Sequence, residues 1–186
     1  MNKEKLVCEI SDIFVYYIRF HSVDGEMSND KLLELSTELV YDFLKIASYI
    51  IISDHDITNE EIDKFNDLFS NVIKSSTIDD AIDFCKYSYE KFKYSSIPLD
   101  SYYTFAMNES LGVLAEEPEN SILKKLRELY LEIASYMIKV DGVITDKEKK
   151  AMYNVLKKCY EINSKVYYGF KIPQKAAIIE EVNKFI

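Results

Sequence analysis

Glycine and proline are scarce, at 4 and 3 in 186 residues. A fold of many short strands needs more turn formers than that, so long helices with few breaks are expected. Cysteine is sparse as well: Cys8, Cys85 and Cys159 are odd in number and far apart. With no CxxC pair there is no zinc-site spacing and no disulfide framework, which fits a reducing compartment. Long apolar runs are missing. The longest, near residues 46–52, falls far short of a bilayer span and has Asp42 and Lys45 just upstream. The first residues lead into an amphipathic segment rather than a continuous apolar one, so no signal peptide is read and a cytoplasmic location is expected. Dense Lys/Arg runs are also absent. At net charge −9 and pI of about 4.8, the chain lacks the basic surface that nucleic acid binding requires.

Signatures of catalysis are equally thin. There are two histidines, His21 and His55, and no motif pairs either with a nucleophile. No phosphate-binding glycine loop occurs. The Glu-x-x-His pair of di-iron bundles is missing, because Ile18 and Ile52 stand three residues before the histidines.

What the chain does have is 48% hydrophobic residues, enough for one folded domain with a sizeable core. Leu6, Ile10, Phe14, Tyr17 and Ile18 form a helical stripe over residues 3–21. After a break at His21–Gly25, Ser28 can cap a second helix over residues 29–52. A third helix is expected from Asn59 to about Ile73, and a fourth, capped by Thr77, to about Tyr94. Ser95-Ser96-Ile97-Pro98 reads as a hinge between two halves of one domain. Further helices are expected over residues 100–115, 120–139, 146–162 and 174–186. The sum is an all-α fold of seven to eight helices. Tyrosine is abundant, at 15 residues. Half-buried rings with solvated hydroxyls account for most of them, and a partner-binding face is the sharper alternative.

The chain also repeats itself. Ile46-Ala47-Ser48-Tyr49 runs on to Asp54-His55-Asp56-Ile57-Thr58-Asn59-Glu60-Glu61, and Ile133-Ala134-Ser135-Tyr136 runs on to Asp141-Gly142-Val143-Ile144-Thr145-Asp146-Lys147-Glu148. Every matched pair lies 87 positions apart, without a gap. Such a repeat sets the architecture: a single domain over 1–186 with two pseudo-repeats, approximately 29–94 and 116–186.

Each copy carries a helix, an acidic turn and a second helix. Thr58-x-x-Glu61 and Thr145-x-x-Glu148 are capping boxes, in which the threonine oxygen accepts from the glutamate amide and the glutamate reaches back to the threonine amide. Ile57 and Ile144, just before the threonines, are placed to act as hydrophobic staples. Capping alone accounts for this pattern. A second reading adds chemistry: Asp54 and Asp141 stand seven residues before the glutamates, across the turn, and hard divalent cations take clustered oxygen ligands. Asp56 enriches the first turn and Asp146 the second, and two neighbouring turns could pool their ligands. The turns are not EF-hands, since position twelve is Phe65 or Met152 where that loop needs a glutamate.

Ala-Ser-Tyr followed by Val140-Asp141-Gly142-Val143-Ile144-Thr145-Asp146-Lys147-Glu148 resembles the tellurite-resistance TerB-like family, a relative of which occurs in membrane-anchored DnaJ-like co-chaperones. The first copy fits with one departure, His55 where glycine is usual. The resemblance implies an internally duplicated TerB-like helical bundle. It implies divalent metal at Asp54, Glu61, Asp141 and Glu148, and work through protein partners in stress-response or membrane-associated assemblies rather than catalysis; with Asp56 from the turn itself, the candidate ligands for Ca²⁺ or Mg²⁺ are five. A third fragment, Val23–Ser28, echoes the motif, but Lys31 stands where the glutamate belongs, so that turn reads as structural.

Three functions follow. The leading one is a non-enzymatic protein-interaction module that holds a divalent cation, with no nucleic acid, no membrane span and a homo-oligomer left open. The alternative is a metal-dependent hydrolase built on the acidic turns. The baseline for both is a purely structural helical domain.

Overall fold

The computed structural model describes residues 3–21, 29–53, 57–69, 83, 86–87, 99–110, 117–119, 121–138 and 144–186. Among these the protein is all-helical, with seven helices and no strand. They are α1 (Lys3–His21), α2 (Asn29–Ile51), α3 (Asn59–Phe69), α4 (Asp100–Ser110), α5 (Ile122–Ile138), α6 (Asp146–Val166) and α7 (Lys175–Asn183). The expected fourth helix lies outside the described residues apart from Asp83, Lys86 and Tyr87, which are helical. The expected hinge at residues 95–98, the Ser28 cap and the Val23–Ser28 echo also lie outside them.

Helix α5 is the axis of the molecule. Leu123, Leu126, Leu129, Tyr130, Leu131, Ile133, Ala134, Met137 and Ile138 are all buried, so the apolar face is broad and leaves only a narrow polar strip. Only Lys124, Lys125 and Glu128 of this helix are exposed. Helix α2 lies along it, offering Leu39, Phe43, Ile46, Ala47 and Ile50, with the Phe43 ring edge-on to Tyr130 at 5.9 Å between centroids.

Several of the other contacts are reciprocal between the two copies, although α4 also packs on α6 with no α1–α3 counterpart of similar extent among the described residues. Helix α1 precedes α2 and packs on both α2 and α5; α4 precedes α5 and packs on both α5 and α2. Helix α3 touches α5, and α6 touches α2. Side chains carry the same exchange. Lys64 on α3 donates to the Tyr136 carbonyl at 3.3 Å and sits 5.0 Å from the centre of its ring. Asn154 on α6 donates to the hydroxyl of Tyr49, the repeat partner of Tyr136, at 3.0 Å. Each copy thus reaches across to the other at the same helix end.

Two helix ends differ most from the sequence reading. Helix α6 continues to Val166, four residues past the expected end, because Asn163 stays inside the fold. Its side chain accepts from the Tyr102 hydroxyl at 3.1 Å and donates to Glu117 at 2.8 Å. The last helix stops at Asn183, where the amides of Lys184 and Phe185 turn back to the carbonyls of Glu181 and Val182. Two adjacent tyrosine pairs divide their labour: Tyr102 and Tyr167 are fully buried, whereas Tyr103 and Tyr168 face solvent.

Candidate functional site

Both capping boxes form. At the start of α3, the Thr58 amide donates to Glu61 Oε2 at 2.8 Å, and the Glu61 amide returns a bond to Thr58 Oγ1 at 3.2 Å. At the start of α6, the Thr145 amide donates to Glu148 Oε2 at 2.7 Å and the Glu148 amide to Thr145 Oγ1 at 3.2 Å. Glu61 and Glu148 are largely buried, at 8% and 5% exposure, although both are carboxylates. That burial is tolerable because each satisfies amides that a helix start leaves unpaired, at the positive end of the dipole. Ile57 and Ile144 pack against the core just before each box.

The remaining acidic candidates, Asp54, Asp56 and Asp141, lie outside the described residues, as do His55, Gly142 and Cys85. Among the described residues no group of three or more His, Cys, Asp or Glu side chains could hold a metal ion. The cap engages Oε2 of each glutamate. Ser53 Oγ, next to Asp54, is buried without a hydrogen-bond partner among the described residues and adds one more oxygen beside the first turn.

Carboxylates cap other helices at longer range. Asp42, fully buried on α2, accepts from the amides of Asp100, Ser101 and Tyr102 at 3.2, 3.0 and 3.3 Å. These are the first three amides of α4. Tyr130 Oη donates to the same carboxylate at 3.3 Å, and Lys45 pairs with it at 3.2 Å. Burial pushes the Asp42 carboxyl up to about 6, against the pull of Lys45 and of the Tyr102 amide. Glu109, near the end of α4, plays a similar part for α5. It accepts from the Ile122 amide at 3.2 Å, from Ser121 Oγ at 2.6 Å and from Tyr167 Oη at 3.0 Å.

Beside these caps lies a buried polar chain centred on Arg127. Its Nη1 donates to both oxygens of Glu117 at 2.9 Å and to Tyr102 Oη at 2.8 Å, and the Tyr160 ring lies over the guanidinium at 5.1 Å. Cys159 is fully buried nearby, and burial pushes its thiol far above the ordinary range, which makes it a packing residue rather than a nucleophile. Cys8 is exposed, and neither cysteine is in a disulfide.

Sequence reasoning located the capping glutamates but missed Asp42, Glu109 and Arg127. A faint signal existed for two of them. Asp42 interrupts the buried face of α2 beside Phe43, and Arg127 follows Leu126 on a helix that is buried over most of its length, in a chain whose only other arginine is Arg19. A charge inside an apolar stripe asks for a buried partner.

No family model matches the chain, and neither curated proteins nor solved structures give a significant match.

Proposed function

We propose that this chain is a non-enzymatic protein-interaction module of a stress-response or membrane-associated assembly, TerB-like in kind, whose duplicated acidic turns take Ca²⁺ or Mg²⁺. The observation that carries the cation is the pair of closed boxes. Repeat-equivalent glutamates are fixed at repeat-equivalent helix starts. Each stands at the corner where the sequence puts the aspartates. Hard cations favour such preset oxygen clusters. The interaction reading draws on the surface of α4, where Tyr103 and Met107 are exposed one helical turn apart. Tyrosine carries a disproportionate share of binding energy at interfaces. Against catalysis stands the structural use of these withdrawn groups: Asp42, Glu61, Glu109 and Glu148 cap helices, Glu117 pairs with Arg127, and Cys159 is sealed in the core.

Turnover separates this from the hydrolase alternative. The chain, loaded with Mg²⁺ or Mn²⁺, is incubated with generic phosphoesters beside an Asp54→Asn/Asp141→Asn double variant. An interaction module gives the same background for both. Metal-dependent turnover that the double variant loses would establish the hydrolase instead.

A further inference from the structure

A cleft of about 760 Å³ opens between the turn at Glu117–Glu119, the first turns of α5 and the segment that follows α6. Glu117, Lys124, Arg127, Phe170 and Lys171 line it. Its size is that of a small-molecule site. Arg127 is only 6% exposed, and its hydrogen bonds to Glu117 and Tyr102 all pass through Nη1. Its Nε–H is buried and has no hydrogen-bond partner among the described residues. A guanidinium is a rigid planar fork, so spending Nη1 leaves the side-on edge, Nε with Nη2, for a second planar acceptor. A buried charged donor left unpaired is costly, and a ligand that satisfies it recovers that cost.

The surroundings fix what that ligand should be. Glu117 and the Tyr160 ring hold the guanidinium, and Tyr160 in turn stacks on Phe170 with centroids 6.0 Å apart and planes 23° apart. The side-on fork is therefore preset, and an aromatic ring stands beside it. Lys124, Arg127 and Lys171 oppose Glu117 and Glu119 along the lining, an excess of one positive charge in a chain of net charge −9. That excess matches a monoanion. Planar, singly charged and bidentate describes a carboxylate.

We infer that this cleft binds a carboxylate on a flat apolar frame, the carboxylate taking the Nε–Nη2 edge of Arg127 between Lys124 and Lys171 and the frame lying along Phe170. The same chemistry is offered by a small aromatic acid and by the free C-terminus of a peptide ending in an aromatic residue. The site is remote in sequence from the acidic turns and stands whether or not they take a cation.

Two matched probe pairs test it on the full chain by titration calorimetry: benzoate against benzamide, and acetyl-glycyl-phenylalanine against its C-terminal amide. At least one acid should bind saturably, with its amide roughly tenfold weaker or more, since a charge-assisted pair is lost. Whichever acid binds more tightly names the source. Arg127→Lys, which keeps the charge but lacks the fork, should abolish the difference between acid and amide. Because that variant disturbs a buried network, a Lys124→Ala/Lys171→Ala double variant serves beside it. It should melt like the parent and bind the acid several-fold more weakly. Acid and amide of equal affinity, no saturation by either acid, or unchanged binding in the lysine double variant would each overturn the proposal.

Discussion

Asp42 shows how much one side chain can organise. It leaves α2, closes the start of α4 through three amides and receives the Tyr130 hydroxyl from α5, so three helices meet on one carboxylate. Burial raises its value from 3.8 to about 6. The folded chain therefore holds this proton more tightly than the unfolded chain does. The stability that the raised value contributes is complete below about pH 4 and declines as the pH climbs toward 6. Urea midpoints should fall across that window, and Asp42→Asn should flatten its share of the fall, since the amide cannot ionise yet still accepts through Oδ1. Asp42→Ala should cost about 2–4 kcal/mol at neutral pH in the same urea titration, because the α4 amides lose their acceptor. Legibility at this scale followed sequence distance. Glu61 and Glu148 were readable because their partners, Thr58 and Thr145, lie three residues away. Asp42 and Glu109 were not, because the amides they cap belong to helices elsewhere in the chain, and no local pattern encodes such a partner.

Among elements, one device recurs: a carboxylate at a helix start. Glu61 serves α3, Glu148 serves α6, Asp42 serves α4 and Glu109 serves α5. Part of the acidic excess is thus placed where helix dipoles favour it. Thr58→Ala and Thr145→Ala should each cost about 1 kcal/mol in chemical denaturation, and the double variant about their sum, because each box closes between its own threonine and glutamate. Helix α1 carries a second acid device. Glu132 on α5 is raised to about 7, chiefly by burial and then by hydrogen bonding with Glu9 on α1, with Glu128 adding to the rise and Lys5 opposing it. Glu9 is correspondingly lowered, first by its bond with Glu132. The raised Glu132 contributes stability that is present below its ordinary 4.5 and lost as the pH rises through about 7. The lowered Glu9 has the opposite sign, but it acts only in acid. Amides of α1 should therefore exchange faster at about pH 8 than at about pH 6, after correction for intrinsic rates, and Glu132→Gln should remove the difference. Periodicity had placed α1 and the start of each other described helix closely. Ends were harder: α6 runs on to Val166 because Asn163 is bonded to Tyr102 and Glu117, residues the helix itself does not contain.

For the molecule as a whole, the internal repeat was the most legible feature, and its consequence is reciprocity. Tyr49 and Tyr136 end equivalent helices, and each is engaged from the other copy, by Asn154 and Lys64. Neither half completes its own core, because α2 and α5 bury their main faces against each other. The sequence pattern could supply equivalence but not the pairing of copies, since pairing depends on which apolar faces meet in space. The cleft at Arg127 was illegible for the same reason: its walls come from the turn before α5, from α5 itself and from the chain beyond α6. The cation at the duplicated turns is the point on which the proposed role depends most. The direct measurement is the melting temperature of the chain in chelator and then in millimolar Ca²⁺ or Mg²⁺, repeated for Asp141→Asn and Thr145→Ala. A cation present at roughly 100 times its dissociation constant adds about 2.7 kcal/mol. The expected result is a rise in melting temperature that survives Thr145→Ala and disappears in Asp141→Asn. Superimposable curves with and without cation in the parent chain would contradict it.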